Sequence, residues 1–203
     1  MSILTQVLLS QLRRKELTRA EFRYHAHQLA MCMAQQAAEY LKPTINTIQT
    51  PLATTQGPSF TQPIVLIPIL RSGLVLLPAF IEYFPHAGIG CVGLRRDEKT
   101  AIANLYYKNI PKLSGKEQII MLDPMIATGG SGSAALDIIT KMGIKQEQII
   151  FVGIIAAQEG VDVIKKSFPK ITLIVTAIDK DLNAAKFIVP GLGDFGDRYF
   201  GTE

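Results

Sequence analysis

The segment IIMLDPMIATGGSGSAALDII, residues 119–139, holds the residues whose order suggests chemistry. Four apolar residues run into a carboxylate, Asp123. Thr128-Gly129-Gly130-Ser131-Gly132-Ser133 then opens a helical pattern. A glycine turn between a strand and a helix can bind phosphate, because the first-turn N–H groups have no intrahelical carbonyls and lie at the positive end of the helix dipole. The N–H groups of 128–132 would take a terminal phosphate, helped by the hydroxyls of Thr128, Ser131 and Ser133. Asp123, at the strand's C-terminal edge, would accept hydrogen bonds from a vicinal diol, so a sugar phosphate suits both groups. The competing reading of the same residues is a purely structural glycine turn.

Other chemistries fit less well. A Walker A loop needs a lysine after the glycines, and none follows. Gly130 to Ala135 satisfies the dinucleotide pattern G-x-G-x-x-A, but Asp123 to Thr128 separates it from the strand. At the distance where an acidic ribose partner belongs stand Ile154 and Ile155. His25, His27 and His86 lack metal-ligand spacing, and Cys32 and Cys91 make neither a zinc site nor a disulfide framework. Ser72 and Ser131 lie in turns outside any G-x-S-x-G elbow. Tyr106-Tyr107 suits packing or loop closure better than stacking on a base.

The elements that must position these groups come from hydrophobic periodicity. Thr18 to Glu21 is a capping box, and the apolar spacing after it predicts a helix over 18–41. Pro43 to Pro63, rich in Thr, Pro and Gln, reads as a connecting loop with room for short strands. Near-continuous apolar runs predict strands at 64–69, 87–94, 118–122, 149–156 and 171–178, with helices at 73–84, 130–142 and 160–167. Strands apolar on both faces and alternating with helices indicate an open, mostly parallel sheet flanked by helices, an α/β fold. Residues 97–115 read as a long loop or β-arm.

Composition sets the outer bounds. A chain of 203 residues, 48% hydrophobic, has material for a sizeable core in one domain. No apolar run reaches the roughly 18 residues of a membrane span, and the start lacks the order of a secretory signal, so a reducing cytoplasm is expected. The net charge of +4 suits an anionic small substrate and leaves nucleic acid open. Arg13-Arg14-Lys15 reads as solvated surface charge.

Four segments carry a resemblance. Asp123-Pro124-Met125-Ile126-Ala127-Thr128-Gly129-Gly130-Ser131 resembles the phosphoribosyl-pyrophosphate (PRPP) loop of uracil phosphoribosyltransferases. Pro68 to Gly73 (PILRSG), Val92 to Thr100 (VGLRRDEKT) and Pro190 to Thr202 (PGLGDFGDRYFGT) resemble further segments of that family, in order and spacing. The resemblance covers about 19 to 203. It implies the type I phosphoribosyltransferase fold, with a mobile loop or arm at 97–115 and a base-binding hood at 179–203. It also implies transfer of phosphoribose from PRPP to uracil, giving UMP and pyrophosphate in pyrimidine salvage.

By the same resemblance, Arg71 and Arg96 would contact pyrophosphate, residues 123–131 would hold the ribose 5-phosphate, and Ile188, Gly193 and Phe195 would present backbone groups to uracil. Asp194 would face PRPP and its Mg²⁺, which is held mainly by substrate oxygens. A homo-oligomer and allosteric GTP belong to the same expectation. Departures from the pattern include residues 101–105, Lys99, Gln158, Phe187, Phe195 and a shortened N-terminal strand region. The rival from another class is a non-catalytic regulator that senses PRPP or nucleotides and binds RNA. A purine-base transferase is disfavoured by the Pro190 to Asp194 segment.

Overall fold

The computed structural model describes residues 2–96 and 103–202. Helices α1 (Ile3–Leu12) and α2 (Arg19–Ala38) come first, followed by strands β1 (Thr44–Gln49) and β2 (Thr54–Ser59). Strand β3 (Ile64–Leu70) leads through a 3₁₀ turn (Ser72–Val75) into α3 (Leu77–Tyr83), β4 (Gly88–Ile89), β5 (Cys91–Arg96) and β6 (Ala103–Asn109). Strands β7 (Gln118–Leu122) and β8 (Met125–Ile126) precede α4 (Gly130–Lys141), β9 (Ile149–Ala157), α5 (Gln158–Ser167) and β10 (Thr172–Asp179). The described chain ends with β11 (Asp181–Leu182), β12 (Ile188–Val189) and α6 (Phe195–Phe200).

The main sheet runs β10-β9-β7-β3-β5-β6, parallel except for β6, which is antiparallel to β5. Its side chains divide with the period of two that strand geometry imposes. Ile120, Leu122, Ile150 and Val152 join Leu12, Phe22, Leu29 and Phe80 in one buried layer, covered by α1, α2, α3 and α6. Ile119, Met121, Ile149 and Phe151 join Leu136, Ile139, Val161 and Ile164 under α4 and α5. The predicted α/β architecture, with helices on both faces of a mostly parallel sheet, is the observed one.

The capping box holds: Thr18 Oγ1 accepts from Glu21 N–H at 3.3 Å, and Thr18 N–H donates to Glu21 Oε2 at 2.8 Å. The short strands for which segment 43–63 left room are present, as the antiparallel hairpin β1–β2. Several expectations need correction. The strand expected at 87–94 is two pieces offset around Gly90, and the helix expected at 73–84 is a 3₁₀ turn followed by α3. The N-terminal residues read as a shortened strand region form α1, capped by Ser2, which accepts from Thr5 N–H. Within 97–115, residues 103–109 are a sheet-edge strand with Tyr106 and Tyr107 exposed, while 97–102 lie outside the described residues.

Candidate active site

The chain passes from β3 to β5 on one side of the sheet and from β7 to β9 on the other. The crevice between the C-terminal ends of β3 and β7 is therefore the topological switch point where open α/β sheets bind ligands. Leu70 and Asp123 stand at those two ends, and both line a cleft of about 430 Å³.

The turn before α4 is built on glycine. Gly129 is the residue before α4 and has φ +77°. A Cβ there would also stand 2.8 Å from the carbonyl oxygen of Gly160, so backbone packs directly on backbone beneath the turn. Residues 125–132 with Asp123 line a small concavity of about 130 Å³ at the N-terminus of α4, the geometry expected for an anion. Thr128 and Ser131 line it as expected. Ser133 does not: its Oγ is buried with no hydrogen-bond partner among the described residues. Pro124 lines neither cleft; its carbonyl accepts from Ile154 N–H and Ile155 N–H at 2.9 and 3.1 Å, tying the turn to β9.

Asp123 is buried, and its carboxyl receives one long hydrogen bond, 3.5 Å from Met125 N–H. Burial pushes this carboxyl up from 3.8 to about 7, opposed only in part by that bond. Such a group accepts donors from a ligand at little further desolvation cost, because the cost has already been met in folding.

The C-terminal segment closes the other side. Gly191, at φ +59°, follows the cis Val189–Pro190 peptide, and a Cβ on it would collide with the Ile188 carbonyl. Asp179, at the end of β10, accepts from Arg13 at 2.7 and 2.6 Å and from Gly191 N–H at 2.9 Å, and Arg13 also donates to Gly191 O at 2.7 Å. Arg13's bonds and charge, with the Gly191 N–H, hold the Asp179 carboxyl below the usual range against its burial. Arg198 donates to the carbonyls of Leu12, Leu192 and Arg14 at 2.6–2.7 Å and lies 4.3 Å from the Phe22 ring centroid. Arg13 is thus an anchor between α1 and this segment, not the solvated charge expected from its basic cluster. Asp194 caps α6, accepting from Asp197 N–H at 2.8 Å. The Phe195 ring is buried against Phe22, with centroids 5.1 Å apart.

The cleft brings Asp123, Met125, Ala127 and Ser131 of the turn together with Ile188, Asp194 and Phe195. Gly193 is exposed beside it and does not line it, whereas Gly196 does. Arg71 is exposed at its edge, 5.7 Å from the Phe200 ring centroid, between Leu70 and Ser72, which line the cleft. Arg96 ends β5, and its side chain is outside the described residues. Among the described residues no group of three or more His, Cys, Asp or Glu side chains is placed to cage a metal. Sequence reasoning missed Arg13, Asp179, Arg198 and Lys186. Only Asp179 carried a signal, as the polar residue ending an apolar parallel strand.

The family model for uracil phosphoribosyltransferase matches residues 2–202. A uracil phosphoribosyltransferase of Malacoplasma penetrans is 40% identical over 195 residues, 96% of this chain and 94% of the relative. A solved structure of an Aquifex aeolicus protein, 30% identical, superposes with a TM-score of 0.92 over 100% of this chain and 97% of that one. The purine phosphoribosyltransferase of Pyrococcus horikoshii, at 11% identity and TM-score 0.51 over 77% of this chain and 82% of its own, shares the fold alone. The chain belongs to the uracil phosphoribosyltransferase family.

Proposed function

We propose that the cleft binds PRPP and uracil and joins them into UMP with release of pyrophosphate. The observation that carries this reading is the meeting of the phosphate turn and the C-terminal segment in one cleft of about 430 Å³. The N–H groups at the start of α4 take the 5-phosphate, Asp123 accepts from the ribose diol, and the backbone near Ile188 and Gly193 to Phe195 reads the base. This makes 179–203 the base-binding hood. Arg71 at the cleft edge, and Arg96 at the end of β5, take the pyrophosphate.

Bond formation between a ring nitrogen of uracil and the anomeric carbon needs no protein nucleophile, because positive charge develops on the sugar as pyrophosphate departs. Holding the reactants in line and excluding water lower the barrier. Cations aimed at the leaving group stabilise its growing charge. Mg²⁺ fits this cleft: Asp123 and Asp194 both line it, and a hard cation takes carboxylate oxygens together with those of a polyphosphate. When bound it would neutralise charge on the pyrophosphate, with Asp194 beside it.

Three further parts of the proposal come from the family: a homo-oligomer, GTP as an effector, and a cytoplasmic setting. The β1–β2 hairpin supports the first, since a lone two-stranded ribbon is marginal and this one exposes Ile45 and Ile48. Among the described residues no helix is long and apolar enough to cross a membrane. The rival regulator reading gains nothing from the relatives, which are named as transferases. The test is incubation with radiolabelled uracil, PRPP and Mg²⁺: labelled UMP supports the reading, and its absence across a range of PRPP and Mg²⁺ concentrations rejects it.

A further inference from the structure

The cleft contains a lysine that the reaction, as read above, does not use. Lys186 lines it with Asp123, Ser131 and Asp194, and is the one cationic side chain among the described lining residues. Its backbone has φ +64°, alone among described residues other than glycine, a conformation that disfavours any side chain with a Cβ. The surrounding loop imposes it. Lys186 N–H donates to Asn183 O at 2.8 Å, Asn183 N–H to Phe187 O at 2.9 Å, and Phe187 N–H to Asn183 Oδ1 at 2.9 Å. One of these bonds is made by Lys186 itself and the other two join its flanking residues, so the loop fixes the left-handed backbone from which the lysine side chain leaves.

The side chain extends toward the phosphate turn. Lys186 Nζ is 3.7 Å from Glu159 Oε1. Glu159 is followed by Gly160, which is seated under the turn: a Cβ on Gly160 would stand 3.0 Å from Gly129 N. The ammonium therefore reaches from the C-terminal segment to the carboxylate that precedes the glycine packed beneath the turn, while Lys186 lines the cleft with Ala127 and Ser131 of that turn. Both side chains of this pair are roughly half exposed, and a long, solvated ion pair is weak. A phosphate dianion is a stronger partner for an ammonium than a solvated carboxylate.

We propose that Lys186 is a further substrate-binding residue, whose ammonium leaves Glu159 and closes over the 5-phosphate of the bound ribose phosphate. The inference rests on the reading of the cleft as a PRPP site. It makes the C-terminal segment a contact for phosphate as well as for base, so that one loop senses both ends of the nucleotide.

Calorimetric titration of the full chain with ribose 5-phosphate tests this directly. Lys186→Gln and Lys186→Gly are expected to weaken binding by about 10- to 100-fold, the range for one hydrogen bond to a charged group. Lys186→Arg should stay within a few-fold of wild type. Lys186→Gly should melt no lower than wild type, because glycine accepts φ +64° freely. In steady state the KM for PRPP should rise while kcat and the KM for uracil change little. Wild-type affinity for ribose 5-phosphate in Lys186→Gln would overturn the proposal, and so would a loss in Lys186→Gly matched by a fall in melting temperature. Lysine-dependent binding of ribose 5-phosphate without UMP formation would uphold Lys186 and reject the transferase reading. No binding of ribose 5-phosphate by a wild type that still forms UMP would overturn the Lys186 proposal and leave the transferase reading standing.

Discussion

Asp123→Asn separates what the cleft does for the ligand from what it costs the empty protein. The Asp123 carboxyl is buried, with a single hydrogen bond of 3.5 Å among the described residues, and titrates at about 7 against an ordinary 3.8. A carboxyl whose folded pKa is raised holds its proton more tightly folded than unfolded. Its contribution to stability is full below the unfolded value, declines as pH rises toward about 7, and is flat above. Between pH 5 and pH 8.5 this spans about two pKa units, or about 3 kcal/mol. For a chain of this length that is about 6–12 °C in Tm. Asparagine carries no charge at either pH, so it should gain on wild type by that amount as pH rises. The assay is thermal unfolding of ligand-free wild type and variant at the two pH values. Parallel pH dependence in the two proteins would refute the reasoning. The variant should also bind PRPP at least tenfold more weakly at pH 8, because an amide offers one acceptor oxygen where the diol needs a carboxylate.

The other predictions test the cradle, the base pocket and the anchor. A Cβ on Gly130 would meet only Thr128 Oγ1, at 3.7 Å, whereas one on Gly132 would stand 2.6 Å from the Phe151 ring. Gly130→Val should therefore keep its melting temperature and lose PRPP binding, and Gly132→Val should lose about 1–3 kcal/mol of stability; calorimetry and denaturant unfolding measure the two. Wild type should prefer uracil over cytosine by about 10²–10⁴ in kcat/KM, since cytosine turns one acceptor into a donor and the ring donor into an acceptor. Because the Phe195 ring is in the core, Phe195→Ala should cost about 3–5 kcal/mol in urea unfolding yet still reject cytosine in competition assays. Arg13→Ala leaves the Asp179 carboxylate buried without its cation, costing about 3 kcal/mol and raising the KM for uracil. As pH falls through the depressed pKa of Asp179, wild type loses this ion-pair stability, whereas in the variant protonation relieves the unpaired buried carboxylate; the stability gap between the two should therefore narrow on acidification, read by denaturant unfolding across pH.

The sheet was legible because β3, β7, β9 and β10 are apolar on both faces and separated by helical periods, a pattern with few other solutions. The phosphate turn was legible because its chemistry is local, with Asp123 and the glycines falling within one strand–turn–helix unit. Arg13 and Arg198 were not, because all their partners but the nearby Leu192 carbonyl lie more than a hundred residues away, and a basic cluster looks alike whether solvated or bonded. Helix α1 was passed over because it is short and half exposed, gaining its stability from α2 and the C-terminal segment and not from a strong apolar stripe of its own. The strands β1 and β2 could be allowed for but not placed, because Thr and Gln suit an exposed strand and a loop equally. For Phe195, sequence placed the residue in the site, and the structure has it line the cleft while its ring packs in the core against Phe22.

The central claim is that the turn at 128–132 and the C-terminal segment hold two ends of one nucleotide. A crystal structure of the protein with UMP tests it most directly. The phosphate should lie against the N–H groups at the start of α4, the ribose hydroxyls on Asp123, and the uracil edge on the backbone around Ile188 and Gly193 to Phe195. UMP bound with its base turned away from that segment, or seated outside the cleft, would contradict it.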